Sequence, residues 1–169
     1  DSTAAILSPA YRILGAETPL RRPMTVSVHA FVPDDMQSRT VLATRTAKGR
    51  IACIGGRYAD GAVTATTRTT GDIFVAADTI PPRIRPLFSE GADLGGARSI
   101  RFRVSDNFSG IASCTLLIDG RWAPCDRFPM QGTLVHAFDR PAAKKRRSVQ
   151  LSVTDGCGNT ARWEGTFWR

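Results

Sequence analysis

Apolar and polar residues alternate with a period of two along most of this chain, and helical spacing never holds for a dozen residues. Successive side chains of an extended strand point to opposite faces, so the alternation predicts strands with one buried face. Strands are expected at 24–32, with Val26, Val28, Ala30 and Val32 on one face, and at 49–54, 62–69 and 72–77. A second set is expected at 98–104, where Ile100, Phe102 and Val104 point inward between Arg101 and Arg103, and at 113–118, 121–126, 133–138, 148–153 and 160–168. In 148–153 the inward residues are Val149, Leu151 and Val153. Short strands at roughly 8–12-residue spacing, punctuated by Gly, Pro, Asn and Asp, predict sandwiches.

A boundary falls at Asp78-Thr79-Ile80-Pro81-Pro82. Two consecutive prolines cannot donate to a ladder and hold the backbone extended, which makes a stiff spacer. The expected fold class is all-β: two tandem antiparallel β-sandwich domains, 1–78 and 79–169. The second has about seven strands in roughly 90 residues, the size of an immunoglobulin-like sandwich.

With 42% hydrophobic and 22% charged residues in 169, the chain can bury a core and is not disordered by composition. No stretch approaches the roughly 18 apolar residues of a membrane span, and residues 1–22 lack the basic-then-apolar order of a signal peptide. A mature form or an excised piece is therefore expected. The 23 Lys and Arg against 15 Asp and Glu give a net charge of +8, which invites a nucleic-acid reading. Position argues against it. One run, Lys144-Lys145-Arg146-Arg147, supplies half the excess and has no aromatic platforms beside it. The run is either a face for an anionic polymer or a solvated loop.

Asp119-Gly120 between two apolar runs predicts a two-residue type I′ hairpin. Its register sets Ile118 opposite Arg121, Leu116 opposite Ala123 and Cys114 opposite Cys125. Cα atoms so paired lie about 4.5–5.5 Å apart, within the range a disulfide accepts. Cys114 and Cys125 are thus either a disulfide or two thiols, and a bulge at Pro124 would turn them to opposite faces. Asp106, Asp155 and Asn159 sit in loops expected at one end of the second sandwich. They are either calcium ligands or turn formers bonded to nearby backbone. Gly55-Gly56 reads as a turn or bulge. Trp122, Trp163, Phe167 and Trp168 are either a carbohydrate-stacking face or core residues. The only histidines, His29 and His136, stand in separate strands, and there is no His-x-His, His-Glu-x-x-His, Gly-x-Ser-x-Gly or phosphate loop. No catalytic residue and no cofactor is expected in this chain, and no metal site beyond the calcium candidates Asp106, Asp155 and Asn159.

Taken in order, Asp78-Thr79-Ile80-Pro81-Pro82, Ile100 through Val104-Ser105-Asp106-Asn107-Phe108-Ser109-Gly110-Ile111, Ile118-Asp119-Gly120-Arg121-Trp122, Leu151-Ser152-Val153-Thr154-Asp155, Gly158-Asn159-Thr160 and the final Thr166-Phe167-Trp168-Arg169 resemble bacterial Ig-like modules. More narrowly, 78–169 is similar to the β-sandwich region that follows the catalytic domain in some secreted bacterial zinc endopeptidases of the lysostaphin/LytM type, which cut peptidoglycan cross-links. Residues 1–78 match more loosely, through Gly49-Arg50 to Gly55-Gly56 and Thr64 to Thr70-Gly71-Asp72. The four cysteines and the Arg-rich surface depart from the usual pattern of these modules. That family holds zinc with His-x-x-x-Asp and His-x-His, and neither motif occurs here.

The resemblance implies a non-catalytic accessory region, outside the cytoplasm, that positions or regulates a peptidase domain of the same polypeptide, with zinc only in that domain. The alternative is a module that binds envelope glycan or anionic polymer, peptidoglycan included. Neither reading expects nucleic acid or a membrane span.

Overall fold

Val26, Val28 and Val32 are buried while Thr25, Ser27 and His29 face water, so the alternation near the start of the chain is a strand with one wet face. The same holds for Ile100, Phe102 and Val104 against Arg101 and Arg103. In the computed structural model, which describes residues 4–15, 18–139 and 144–169, the chain is all-β and forms two compact units. The first comprises 1–80 with the short pieces 107–109 and 156–159; the second comprises 81–106, 110–155 and 160–169.

The first unit carries β1 (Ala5–Ile6), β2 (Tyr11–Ile13), β3 (Met24–His29), a one-turn helix α1 (Asp34–Gln37), β4 (Thr40–Arg45), β5 (Ile51–Gly55), β6 (Arg57–Ala59), β7 (Ala62–Thr67) and β8 (Gly71–Ala77). One sheet runs β1-β8-β4-β5, with β2 also on β8; the other runs β3-β7-β6. Val26, Val28, Leu42, Val63, Ile73 and Val75 form the core that both sheets share. Strand β4 is a correction to the sequence reading. Thr40 to Thr44 are all buried, so the segment shows no alternation and its pattern gives no strand signal. The expected strand 24–32 ends at His29, and α1 follows.

Asp78 is fully buried within this unit. Its N–H donates to the Arg39 carbonyl (2.9 Å), and its carboxylate accepts the N–H groups of Ile80 (3.2 Å) and Ser109 (3.0 Å). The Asp78 carbonyl accepts the Asn159 Nδ2 (2.9 Å). A buried carboxylate is tolerated when hydrogen bonds replace its lost water, and backbone amides do so here.

The second unit carries β9 (Arg83–Pro86), β10 (Ala92–Asp93), β11 (Ser99–Ser105), β12 (Ile111–Ile118), β13 (Arg121–Ala123), β14 (Asp126–Phe128), β15 (Thr133–Ala137), β16 (Arg146–Asp155) and β17 (Thr160–Trp168). Its sheets run β10-β17-β16-β12-β13 and β14-β15-β11-β9, antiparallel except for β10 beside β17. This is an Ig-like sandwich. Ile100, Phe102, Leu116, Leu134, Leu151 and Phe167 fill the space between the sheets. Phe88 meets Phe102 and Trp163 edge to face at 5.6 and 5.7 Å, the arrangement that ring quadrupoles favour.

The Asp119-Gly120 hairpin forms with both residues at positive φ (51° and 72°), and Leu116 pairs with Ala123, Leu117 with Trp122 and Ile118 with Arg121. The expected strand 121–126 is two strands. Pro124 has no N–H for a ladder, and the chain leaves the β12 sheet there: β13 pairs with β12, and β14 pairs with β15.

The expected bulge lies at Gly55: β5 pairs Gly55 with Leu42 but Cys53 with Ala43, leaving Ile54 unpaired. Gly55 (φ 99°) faces open space, whereas a Cβ on Gly56 (φ 109°) would lie 2.7 Å from the Thr64 carbonyl oxygen. Both alanine substitutions carry a backbone cost of about 1–3 kcal/mol for the left-handed conformation. Gly56→Ala adds a clash and should cost at least about 1 kcal/mol more than Gly55→Ala. Urea unfolding of the two variants checks this ordering.

Candidate functional site

Lys144 and Lys145 precede β16, and Arg146 and Arg147 begin it, so half of the basic run belongs to a strand rather than to a solvated loop. The run is stitched to its surroundings. Lys144 Nζ reaches the Asp93 carboxylate at 2.5 Å, and Lys145 Nζ and Arg147 Nη1 reach Asp119 Oδ2 at 3.4 and 2.9 Å. Arg146 donates to Thr166 Oγ1 through Nε (3.4 Å) and Nη2 (3.3 Å). The Lys145 and Arg169 main chains exchange both hydrogen bonds at 3.0 Å.

The electrostatics follow. The Lys144 hydrogen bond and the Gly95 N–H hold the Asp93 carboxyl below its ordinary range. Partial burial pushes the Asp119 carboxyl up, but hydrogen bonds from Arg147, the Ser148 N–H and Lys145 together outweigh it and hold the group low. Three of the four cations already face a carboxylate, which weakens the run as a lattice of open charges for a polyanion. Exposed pairs of this kind are screened by water and add little to stability. Asp119 is the residue that sequence reasoning missed here: its Asp-Gly signal announces the turn and says nothing of its ionic partners.

The structure brings two of the three calcium candidates together. Carboxylate oxygens of Asp106 and Asp155 lie within 4.8 Å of each other. Asp106 Oδ2 accepts the Gly110 N–H at 2.7 Å, which closes the turn before β12, as the turn-forming reading expects. Asn159 commits its Nδ2 to the Asp78 carbonyl in the first unit.

Cys114 and Cys125 are half-buried thiols, and Cys53 and Cys157 are thiols as well. The β12–β13 ladder ends at Leu116 and Ala123, one same-face step short of the two cysteines, because Pro124 interrupts it. Both cysteines nevertheless pack against the core that holds Leu116 and Ala123, so Pro124 does not turn them to opposite faces. Burial raises the Cys114 thiol above its ordinary range and the neighbouring Cys125 raises it further; burial and Asp126 raise Cys125.

Among the aromatic candidates, Phe167 is buried and Trp163 packs against the second unit's core, so a four-residue stacking face is not built. Trp168 is 41% and Trp122 70% exposed. His29 lies on β3 and His136 on β15. His136 Nδ1 lies 2.7 Å from the Pro124 carbonyl; a carbonyl only accepts, so Nδ1 carries a proton and donates it. Arg169, which sequence reasoning passed over, is buried. Its Nη1 donates to the carbonyls of Leu94 (3.1 Å), Gly95 (3.4 Å) and Ala97 (2.8 Å), and its guanidinium lies 4.0 Å from the centre of the Phe138 ring.

These features define an all-β chain of two units in which three cations of the basic run are tied to Asp93 and Asp119. Residues 1–78 are similar to the Zu5-like domain family. No curated protein matches the chain.

Two measurements probe this description. Asp119→Asn keeps a residue suited to positive φ and an acceptor for Ser148 but removes the charge. It should lower stability at pH 7 by a few tenths to about 1 kcal/mol. The wild-type advantage is present above the ordinary carboxylate pKa of about 4 and is lost as pH falls through the lower folded value, so urea midpoints at pH 7, 4 and 2.5 should converge. Folded protein incubated with glutathione disulfide should yield Cys114 and Cys125 joined in non-reducing peptide maps, slowly at neutral pH and faster toward pH 9 because the raised pKa keeps thiolate scarce. Recovery of both residues alkylated would remove that pairing.

Proposed function

We propose that this chain is a non-catalytic accessory region of an extracytoplasmic polypeptide, and that it positions or restrains a lysostaphin-type zinc endopeptidase domain carried on the same chain. The observation behind this reading is where the residues of the resemblance fall. Asp106 closes the turn to Gly110, Asp119 and Gly120 make the β12–β13 hairpin, and Ile100, Phe102, Val104, Leu151 and Val153 fill the core. The shared residues are those that make a stable Ig-like module, and a stable module fixes geometry at small entropic cost to whatever it holds. The similarity of 1–78 to the Zu5-like domain supports treating the first unit as a module too.

In this reading the partner is the peptidase domain, zinc belongs to it alone, and the work of 1–169 is to set how that domain meets the peptidoglycan. Capturing the native polypeptide with an antibody raised against 1–169 and sequencing it tests the proposal. The expected result is a longer chain containing His-x-x-x-Asp and His-x-His. A native polypeptide without them overturns the reading.

A further inference from the structure

Trp122 lies on the edge strand β13, and its hairpin register turns Ala123 into the core and leaves the indole outside. The indole borders a groove of about 330 Å³ in the second unit, at the small end of ligand pockets and sized for one or two sugar rings. Arg121, Pro124, His136, Phe138 and Asp139 line it with Trp122.

The lining is chemically mixed. Trp122 offers an apolar ring face, whereas the Phe138 ring lies under the Arg169 guanidinium, 4.0 Å from its centre. His136 has Nδ1 committed as a donor to the Pro124 carbonyl, which leaves Nε2 as its ring nitrogen for a ligand. Asp139 offers a carboxylate acceptor, and Arg121 is an exposed cation at the rim. Arg147 and Arg169 also border the groove, but Asp119 and three carbonyls hold their guanidinium groups. They stiffen the wall rather than reach for a ligand.

We infer that this groove binds a saccharide bearing a carboxylate: the C–H face of a sugar ring lies on Trp122, ring hydroxyls hydrogen-bond with His136 Nε2 and Asp139, and the carboxylate meets Arg121. A pyranose matches such a lining because one face is apolar while its rim is a ring of donors and acceptors. A peptide side chain rarely combines the two. A bare polyanion would leave the Trp122 face unused, and a bare apolar ligand would strand His136 and Asp139 without partners. The inference is independent of the accessory reading, since sugar binding can fail in a chain that does carry a peptidase domain.

Isothermal titration of 1–169 tests it with two probes: the N-acetylglucosamine–N-acetylmuramic acid disaccharide, which carries a carboxylate, and chitobiose, which does not. The expected result is a Kd in the high-micromolar to millimolar range for the first probe, weakened at least about tenfold by Trp122→Ala, since stacking on one aromatic contributes on that order. Trp168→Ala, which removes an exposed indole outside the groove, should leave binding unchanged. Arg121→Gln should weaken the carboxylate-bearing probe and leave chitobiose alone. Absence of binding to either probe overturns the site, as does binding that survives Trp122→Ala in folded protein. Equal affinity for the two probes overturns the acidic specificity. A dimer seen by sedimentation and abolished by Trp122→Ala, with neither probe bound, would give the surface to a second copy instead.

Discussion

The turn at Asp119-Gly120 is the constraint on which the second unit's surface depends. Two residues at positive φ allow one register between β12 and β13, and a strand's period of two then assigns every side chain after the turn to a face. Ala123 goes inward and Trp122 goes outward. The same Asp119 carries its carboxylate beyond the turn, where it receives Lys145, Arg147 and the Ser148 N–H. A local backbone preference and a nonlocal electrostatic contact thus meet in one residue, and the groove beside Trp122 inherits its shape from both.

What could be read in the sequence follows from how each strand is solvated. β3, β11 and β16 have one wet face, so their alternation is visible and their inward residues are those expected. β4 is dry on both sides, and Thr40-Val41-Leu42-Ala43-Thr44 carries no period to detect. β6 and β7 turn at Asp60-Gly61, with φ of 51° and 78°. That dipeptide gives the same signal as Asp119-Gly120 but lacks long apolar runs on either side. Pro124 was legible as an interruption; that it moves the chain from one sheet to the other depends on β15 offering a new partner, which no local pattern encodes.

The candidate sites were legible in part for a related reason. Residue type and spacing announced the cysteine pair; the ladder stops one same-face step short of it at Pro124, and both residues pack against the same core. The basic run looked like a stretch of open charge because its partners, Asp93 and Asp119, lie 51 and 26 positions upstream of Lys144 and Lys145. Opposite charges that meet only after folding cannot be counted by composition. The exposed Trp122 could not be separated from Trp163 and Trp168 until each strand had a register and an edge.

The order of strands in the second unit bears on how it survives in company. Both sheets end on short strands: β10 has 2 residues, β13 and β14 have 3 each, and β9 has 4, with Arg83, Arg85 and Pro86 along it. β11 and β16 lie inside with a partner on each side, whereas among the described residues β10 pairs with β17 only at Phe167 and Trp168 and β13 with β12 only from Leu116 to Ile118. An open edge is a template on which another chain can add a strand, and short, charged or proline-bearing edges deny it the length it needs. The short strands therefore guard each rim only where they lie, and the outer edges of β12 before Leu116 and of β17 before Phe167 are where a further strand would add.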